Sequence, residues 1–153
     1  MASSSVSMQR LVDGTMQWSV GAFVVTMRVL GPGVAYSTTT GSGVQVFVPE
    51  FAEALEAEIA AHGRMVLFVN LLEATRLTGA ARDSWAEWAK KHRQDTAAHF
   101  LVQSKLIDMA LSLIAMFSGA GAQMRSYSDM DRFLAAMRQA APNAVLPKLR
   151  NVA

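Results

Sequence analysis

Hydrophobic and polar positions change their spacing several times along the chain, and each change predicts a boundary between strand and helix. Residues 65–70 read Met-Val-Leu-Phe-Val-Asn, a run of five apolar residues closed by a polar one. A short run rich in Val and Phe favours a strand buried on both faces. Helical spacing precedes it over residues 49–61 and follows it over residues 78–92. This alternation predicts an α/β layer fold.

Strand spacing dominates the beginning of the chain. In residues 15–20 the large apolar side chains Met16, Trp18 and Val20 alternate with polar ones, which is the period of a half-buried strand. Residues 22–30 are rich in Val and predict a second strand. Because a single glycine separates the two segments, we expect an antiparallel hairpin.

The next segment contains mostly small polar residues. Residues 36–43 are rich in Ser, Thr and Gly and predict a surface loop. No Lys follows, and the spacing fits neither of the common phosphate-binding glycine motifs, so a phosphate-binding loop is excluded. Residues 44–48 are compatible with a short strand or with the first turn of a helix.

The predicted helices carry local signals at their ends. Pro49 suits the first helical position, and Gly63 suits the C-terminal cap of the same helix. Hydroxyl side chains that can cap helix N-termini precede the other three helices. These residues are Thr78, Ser104 and Ser128. Two further strands are predicted over residues 97–102 and 123–127, the latter at a sheet edge.

The predicted helix 105–117 is more apolar than packing on one sheet face requires. Met109 and Met116 form one flank of its helical wheel, and Ile107 and Leu111 form the other. The core face predicted between the flanks comprises Leu106, Ala110, Leu113, Ile114 and Phe117. Three explanations remain open for the flanks: burial by neighbouring helices, an interface with a second copy or a protein partner, or contact with an apolar ligand or lipid.

Composition places limits on function. The chain has 153 residues, of which 52% are hydrophobic and 17% charged, which predicts one domain with a substantial core. A net charge of +2 is too small to indicate nucleic acid as a partner, and the lack of cysteine excludes disulfides and thiolate metal sites. No apolar run is long enough to span a membrane, and no secretory signal is recognised, so we expect a cytoplasmic protein.

No catalytic or metal-binding motif is present in the sequence. None of the three histidines has another histidine at i+3 or i+4, so no local metal site is predicted. Neither a nucleophile elbow nor a zinc-protease motif occurs. We therefore expect no catalytic residue, cofactor or metal, although a hydrolase whose site is assembled from distant residues remains a second alternative.

With its elements in this order, the chain resembles the STAS family, the sulfate-transporter and anti-sigma-factor-antagonist domains, and especially the bacterial STAS-like or Sec14-like proteins. The resemblance covers roughly residues 15–141 and rests on the hairpin, the Glu-rich helix, the strand 65–70 and the alternating elements after it. It implies a mixed sheet of about five strands with about four helices mainly on one face. We expect residues 1–13 to be a flexible N-terminus, 14–141 the domain, and 142–153 a tail.

The resemblance also implies a regulatory role through binding other proteins, often controlled by phosphorylation at the start of the helix that follows the central strand. The family's phosphorylated serine aligns with Gly79, which has no hydroxyl, and Thr78 is the nearest hydroxyl. Its simplest role is the helix cap. We thus predict a non-enzymatic interaction or regulatory module, with a small apolar-ligand or lipid-binding domain as the alternative. The candidate contact residues are Asn70, Thr75, Thr78, Gly79, Met109 and Met116.

Overall fold

The structure, a computed structural model, describes residues 5–41 and 43–149. Strands and helices alternate through most of the second half of the chain. The strands are β1 (Ser7–Arg10), β2 (Met16–Val20), β3 (Phe23–Gly31), β4 (Val34–Thr40), β5 (Val44–Gln45), β6 (Met65–Asn70), β7 (Arg76–Leu77), β8 (Thr96–Leu101) and β9 (Met124–Tyr127). The helices are α1 (Pro49–His62), α2 (Gly79–Lys91), α3 (Lys105–Ser118) and α4 (Met130–Ala140).

The predicted mixed α/β architecture is confirmed, but the main sheet is larger than expected. It contains seven strands in the order β1-β2-β3-β4-β6-β8-β9, instead of about five. The first four strands pair antiparallel, and β4, β6, β8 and β9 pair parallel. The short strands β5 and β7 form a separate parallel pair.

The surface loop predicted over residues 36–43 is wrong for most of that segment. Strand β4 occupies the interior of the sheet, antiparallel to β3 and parallel to β6. Remote residues pair with two of its hydroxyl groups. The Thr26 and Thr38 hydroxyls lie 2.6 Å apart, and Gln45 Nε2 donates to Thr39 Oγ1 at 2.7 Å. The chain leaves the strand at Gly41, whose φ of 100° suits a turn.

Strand β6 lies between β4 and β8 and is buried on both faces, as predicted. Leu67 and Val69 contact the core beneath α1, α2 and α3, whereas Phe68 contacts the core beneath α4. Three helices therefore cover one face of the sheet and one helix covers the other.

Most predicted helix ends are confirmed. Gly63 caps α1 with a φ of 76°, and the Thr78 and Ser104 side chains cap α2 and α3. The predicted cap at Ser128 is wrong. Because α4 begins one residue later than the pattern indicated, Asp129 takes that position and its Oδ1 accepts from the Asp131 N–H at 2.8 Å.

The two ends of the chain contribute to the fold where they are described. The segment expected to be flexible, 1–13, includes the exposed edge strand β1, which the sequence pattern did not predict. After α4, Leu146 and Leu149 pack against the core beneath that helix. The remainder of both expectations, on residues 1–4 and 150–153, lies outside the described residues. No helix in the described part of the chain is long and apolar enough to cross a membrane.

Candidate functional site

Asn70 is the last residue of β6, and both polar atoms of its side-chain amide make hydrogen bonds within the protein. Its Nδ2 donates to the Tyr36 hydroxyl at 3.1 Å, and its Oδ1 accepts from the Leu72 N–H at 3.0 Å. Burial raises the pKa of Tyr36, and the hydrogen bond from Asn70 opposes that rise. The Asn70 side chain thus joins β4, β6 and the following loop, so its main role in this structure is to hold the loop in place.

Thr75 is exposed and joins three segments. Its hydroxyl donates to the Gly43 carbonyl at 2.8 Å, and its backbone N–H donates to the same oxygen at 2.6 Å. Its own carbonyl accepts from the Ser104 hydroxyl at 2.9 Å. This last bond places the connection between β6 and α2 directly beside the first turn of α3.

Thr78 and Gly79 form the start of α2. The Thr78 hydroxyl accepts from the Ala81 N–H at 3.1 Å, which is the predicted capping bond. Gly79 is exposed, and a Cβ added there would meet nothing within 4 Å. A side chain at position 79 would therefore fit without steric strain, whereas the Thr78 hydroxyl already has a structural partner.

The core face predicted for α3 is wrong except for Ile114. The buried residues are Ile107, Leu111, Ile114 and Ser118, so one predicted flank is the core face. Leu106 and Phe117, predicted as core, are 62% and 67% exposed. The helical wheel could not show which face of α3 is buried, because apolar residues occupy most of its circumference.

Met109 and Met116 are 63% and 66% exposed, so no neighbouring helix in the described part of the chain covers them. At roughly 100° per residue they point away from the buried residues of α3. Leu106 and Phe117 lie next to them on the helix surface. We call these four residues, Leu106, Met109, Met116 and Phe117, the outer α3 face.

The flank of α3 that adjoins Met109 and Met116 is polar. Lys105 and Asp108 line a shallow depression together with Ser126 and Ser128, which lie in and just after strand β9. The polar flank therefore faces the edge of the sheet, and the apolar surface faces outward.

The histidines have structural partners. Burial lowers the pKa of His99, and the nearby Arg125 charge lowers it further. Each histidine has one close polar contact: His62 Nε2 with Glu58 Oε2 at 3.4 Å, His92 Nε2 with Glu56 Oε1 at 3.2 Å, and His99 Nδ1 with the Tyr127 hydroxyl at 2.8 Å. Within residues 5–41 and 43–149, no group of three or more His, Cys, Asp or Glu side chains could hold a metal ion.

A cavity of about 120 Å³ lies between the sheet and helices α1, α2 and α3. Its walls are mainly apolar and include Leu67, Trp85 and Ile114. Sequence reasoning missed this cavity because one wall contains Ser37 and Thr39, which were assigned to a surface loop. Residues 34–40 read Val-Ala-Tyr-Ser-Thr-Thr-Thr, without the apolar and polar alternation of a half-buried strand, so their sequence gave no signal of the cavity.

Comparisons with known proteins identify no family for this chain. No protein-family model matches the chain, and a search of curated proteins found no match.

Proposed function

We propose that this chain is a non-enzymatic, STAS-like protein-interaction module that binds its partner through the outer α3 face and through residues 75–79, which lie beside the first turn of α3. The observation that carries the proposal is the outer α3 face itself, four large apolar side chains on one helix that are each 62% to 67% exposed. Contiguous exposed apolar patches of this kind often mark interaction surfaces.

The size of the patch suits the centre of an interface. Four side chains of roughly 200 Å² each, two-thirds exposed, present on the order of 500 Å² of surface. A stable interface buries roughly 800 Å² on each partner, with an apolar centre and a polar rim. Lys105 and Asp108 are exposed charged side chains on the first turn of the same helix, and Thr75 lies beside that turn, so these polar groups would supply such a rim.

The chemistry of the patch indicates an apolar, adaptable partner surface. Methionine side chains are flexible and polarizable, so they accommodate more than one packing arrangement. A second copy of this chain carries a surface of matching chemistry, and a two-fold pairing would bury the outer α3 face of both copies. We therefore propose self-association as the first interaction to test.

The STAS-like part of the proposal is supported by the order of elements around β6 and by the position of residues 75–79 at the start of the following helix. Phosphorylation of Thr78 would add charge at a helix N-terminus, where it is electrostatically tolerated, and would alter this surface. Mass spectrometry of the protein from its native cells tests this point; no Thr78 phosphate under any growth condition would exclude it.

The interaction is tested by comparing methionines that are each more than half exposed. The double variant Met109→Lys, Met116→Lys places charge on the outer α3 face, and Met8→Lys, at a residue 55% exposed in β1, is the matched control. Sedimentation equilibrium should show a dimer for the wild type and the control, and a monomer for the double variant. A photo-crosslinker at position 109, but not at position 8, should trap a protein adduct in native cells.

The proposal fails if the wild type is monomeric at all concentrations and position 109 gives no more adduct than position 8. It also fails if the double variant and the control associate equally.

A further inference from the structure

The cavity beneath α1, α2 and α3 has features that a simple packing defect does not explain. Its volume of about 120 Å³ is far larger than the gaps that native cores usually retain. Two large aromatic side chains, Trp85 and Trp88, form part of its wall. An engineered apolar cavity of about 150 Å³ in another protein binds benzene, so this space is of the size that holds a small organic molecule.

Two buried hydroxyl groups in the described part of the wall have no hydrogen-bond partner, and the first belongs to Ser37. Ser37 is 0% exposed, lines the cavity, and its Oγ has no hydrogen-bond partner among the described residues. The neighbouring Thr39 hydroxyl, two residues along the same face, already accepts from Gln45 Nε2. An unpaired buried hydroxyl is costly, and a ligand hydroxyl would remove that cost.

The cavity reaches the surface at its other end. Arg93 and Gln123 line it and are exposed, so they mark its opening. Thr96, at the start of β8, also lines this end, and its Oγ1 is buried without a partner. The strand registers place Ser37 beside Val69 and Phe100, four residues beyond Thr96, which separates the two hydroxyls by roughly 13 Å along the strands.

A water molecule is a poor occupant of the closed end. Buried waters usually make about three hydrogen bonds to the surrounding protein. Val69 lies beside Ser37 in the cavity wall, and Val25 lies opposite Thr39, whose hydroxyl is already bonded to Gln45. This end of the cavity offers the free Ser37 hydroxyl in a largely apolar surround, which suits an amphiphilic organic molecule better than water.

We propose that this cavity is a binding site for a small neutral aliphatic molecule of about six carbon atoms with a single hydroxyl, which hydrogen-bonds to Ser37 while its hydrocarbon part contacts Trp85 and Trp88. The molecule enters between Arg93 and Gln123. This site is separate from the outer α3 face, so either proposal can fail without the other.

The test uses hexan-1-ol as the amphiphilic probe and toluene as an apolar probe without a hydroxyl. Because Trp85 and Trp88 line the cavity, tryptophan fluorescence of the full chain should change saturably with both probes. Ser37→Ala should weaken hexan-1-ol binding about threefold to tenfold, the equivalent of one hydrogen bond, and leave toluene binding unchanged. Thr96→Val removes the second unpaired hydroxyl of the wall and shows whether hexan-1-ol bonds there instead. Ser19→Ala, in β2 and outside the cavity, is the matched control and should bind both probes like the wild type.

A second variant fills the cavity. Ala98 lines it from the centre of β8, and Ala98→Leu should abolish binding of both probes, whereas Ala61→Leu, at the exposed end of α1, should not. Should Ala98→Leu fail to fold by circular dichroism, methyl NMR of the wild type under xenon pressure replaces it. Shifts are expected at Leu67 and Ile114 and not at the exposed Val29.

Absence of saturable binding to the wild type would overturn the proposal, as would probe binding that survives in a folded Ala98→Leu variant. Xenon shifts confined to exposed methyl groups would have the same consequence. Equal hexan-1-ol affinity in the wild type and in Ser37→Ala, or a loss in Thr96→Val alone, would overturn the assignment of Ser37.

Discussion

Replacing Ser37 by alanine should stabilise the protein, although the residue is completely buried. Ser37 is 0% exposed in the central strand β4, and its hydroxyl has no partner among the described residues. Most substitutions at buried positions destabilise, because they remove contacts or strand a hydrogen-bonding group. Here the substitution removes a hydroxyl that has lost its hydrogen bonds to water on burial and has gained none within the protein.

The magnitude follows from three contributions. An unsatisfied buried polar group costs about 1–3 kcal/mol. Deleting one oxygen enlarges the adjoining cavity by roughly 10 Å³, which costs about 0.2 kcal/mol at 24 cal/mol per Å³. Alanine is also a poorer strand residue, by a fraction of the scale's span of about 1 kcal/mol. The free energy of unfolding should therefore rise by about 1 kcal/mol, or about 2–4 °C in Tm for a chain of this length.

Thr39 provides the matched control on the same face of the same strand. Its hydroxyl accepts from Gln45 Nε2 at 2.7 Å, so Thr39→Val leaves the buried Gln45 amide N–H without an acceptor. That variant should lose about 1–3 kcal/mol. Urea unfolding followed by circular dichroism measures both variants, in buffer free of organic solvent so that the cavity holds no added ligand. If Ser37→Ala lost as much stability as Thr39→Val, the Ser37 hydroxyl would have to be paired, and the reasoning would be refuted.

Three further predictions concern other parts of the fold. Phe133→Ala should lower the free energy of unfolding, measured in urea, by about 3–5 kcal/mol, because Phe133 is 0% exposed and its ring centroid lies 5.7 Å from that of Phe68. Met116→Ala, at an exposed position, should change it by less than about 0.5 kcal/mol. A loss below about 1 kcal/mol for Phe133→Ala would contradict this packing. Thr78→Ala should cost about 1 kcal/mol through loss of the α2 cap and Thr78→Ser should restore most of it, so an equal loss in the serine variant would rule out the capping bond. Burial lowers the pKa of His99 below its usual 6.5, so the unfolded chain binds the proton more readily, and the free energy of unfolding falls as the pH drops below 6.5 through the folded pKa. Urea titrations at several pH values should show a smaller fall in His99→Phe, and a fall equal to that of the wild type would disprove this linkage.

Local sequence determined the elements whose signals lie within the elements themselves. The five apolar residues of β6 specify a strand with two buried faces, and both faces are covered in the structure. Phe133 and Met137 are four residues apart, which places them on one side of α4, and both are 0% exposed. Gly63 and Thr78 end or begin helices through bonds made within a few residues. Such bonds and periodicities depend on neighbouring positions only, so a sequence pattern can report them.

The tertiary structure alone decided what depends on remote partners. Strand β4 carries loop-like residues, and it is a strand because Thr26 pairs with Thr38 and because the backbone of β6 lies beside it. The core face of α3 was set by the position of the sheet beneath Ile107, since nearly any face of so apolar a helix could have been buried. The cavity exists only where side chains from β4, β8 and three helices fail to meet. Periodicity describes one element at a time, whereas packing depends on which elements come together.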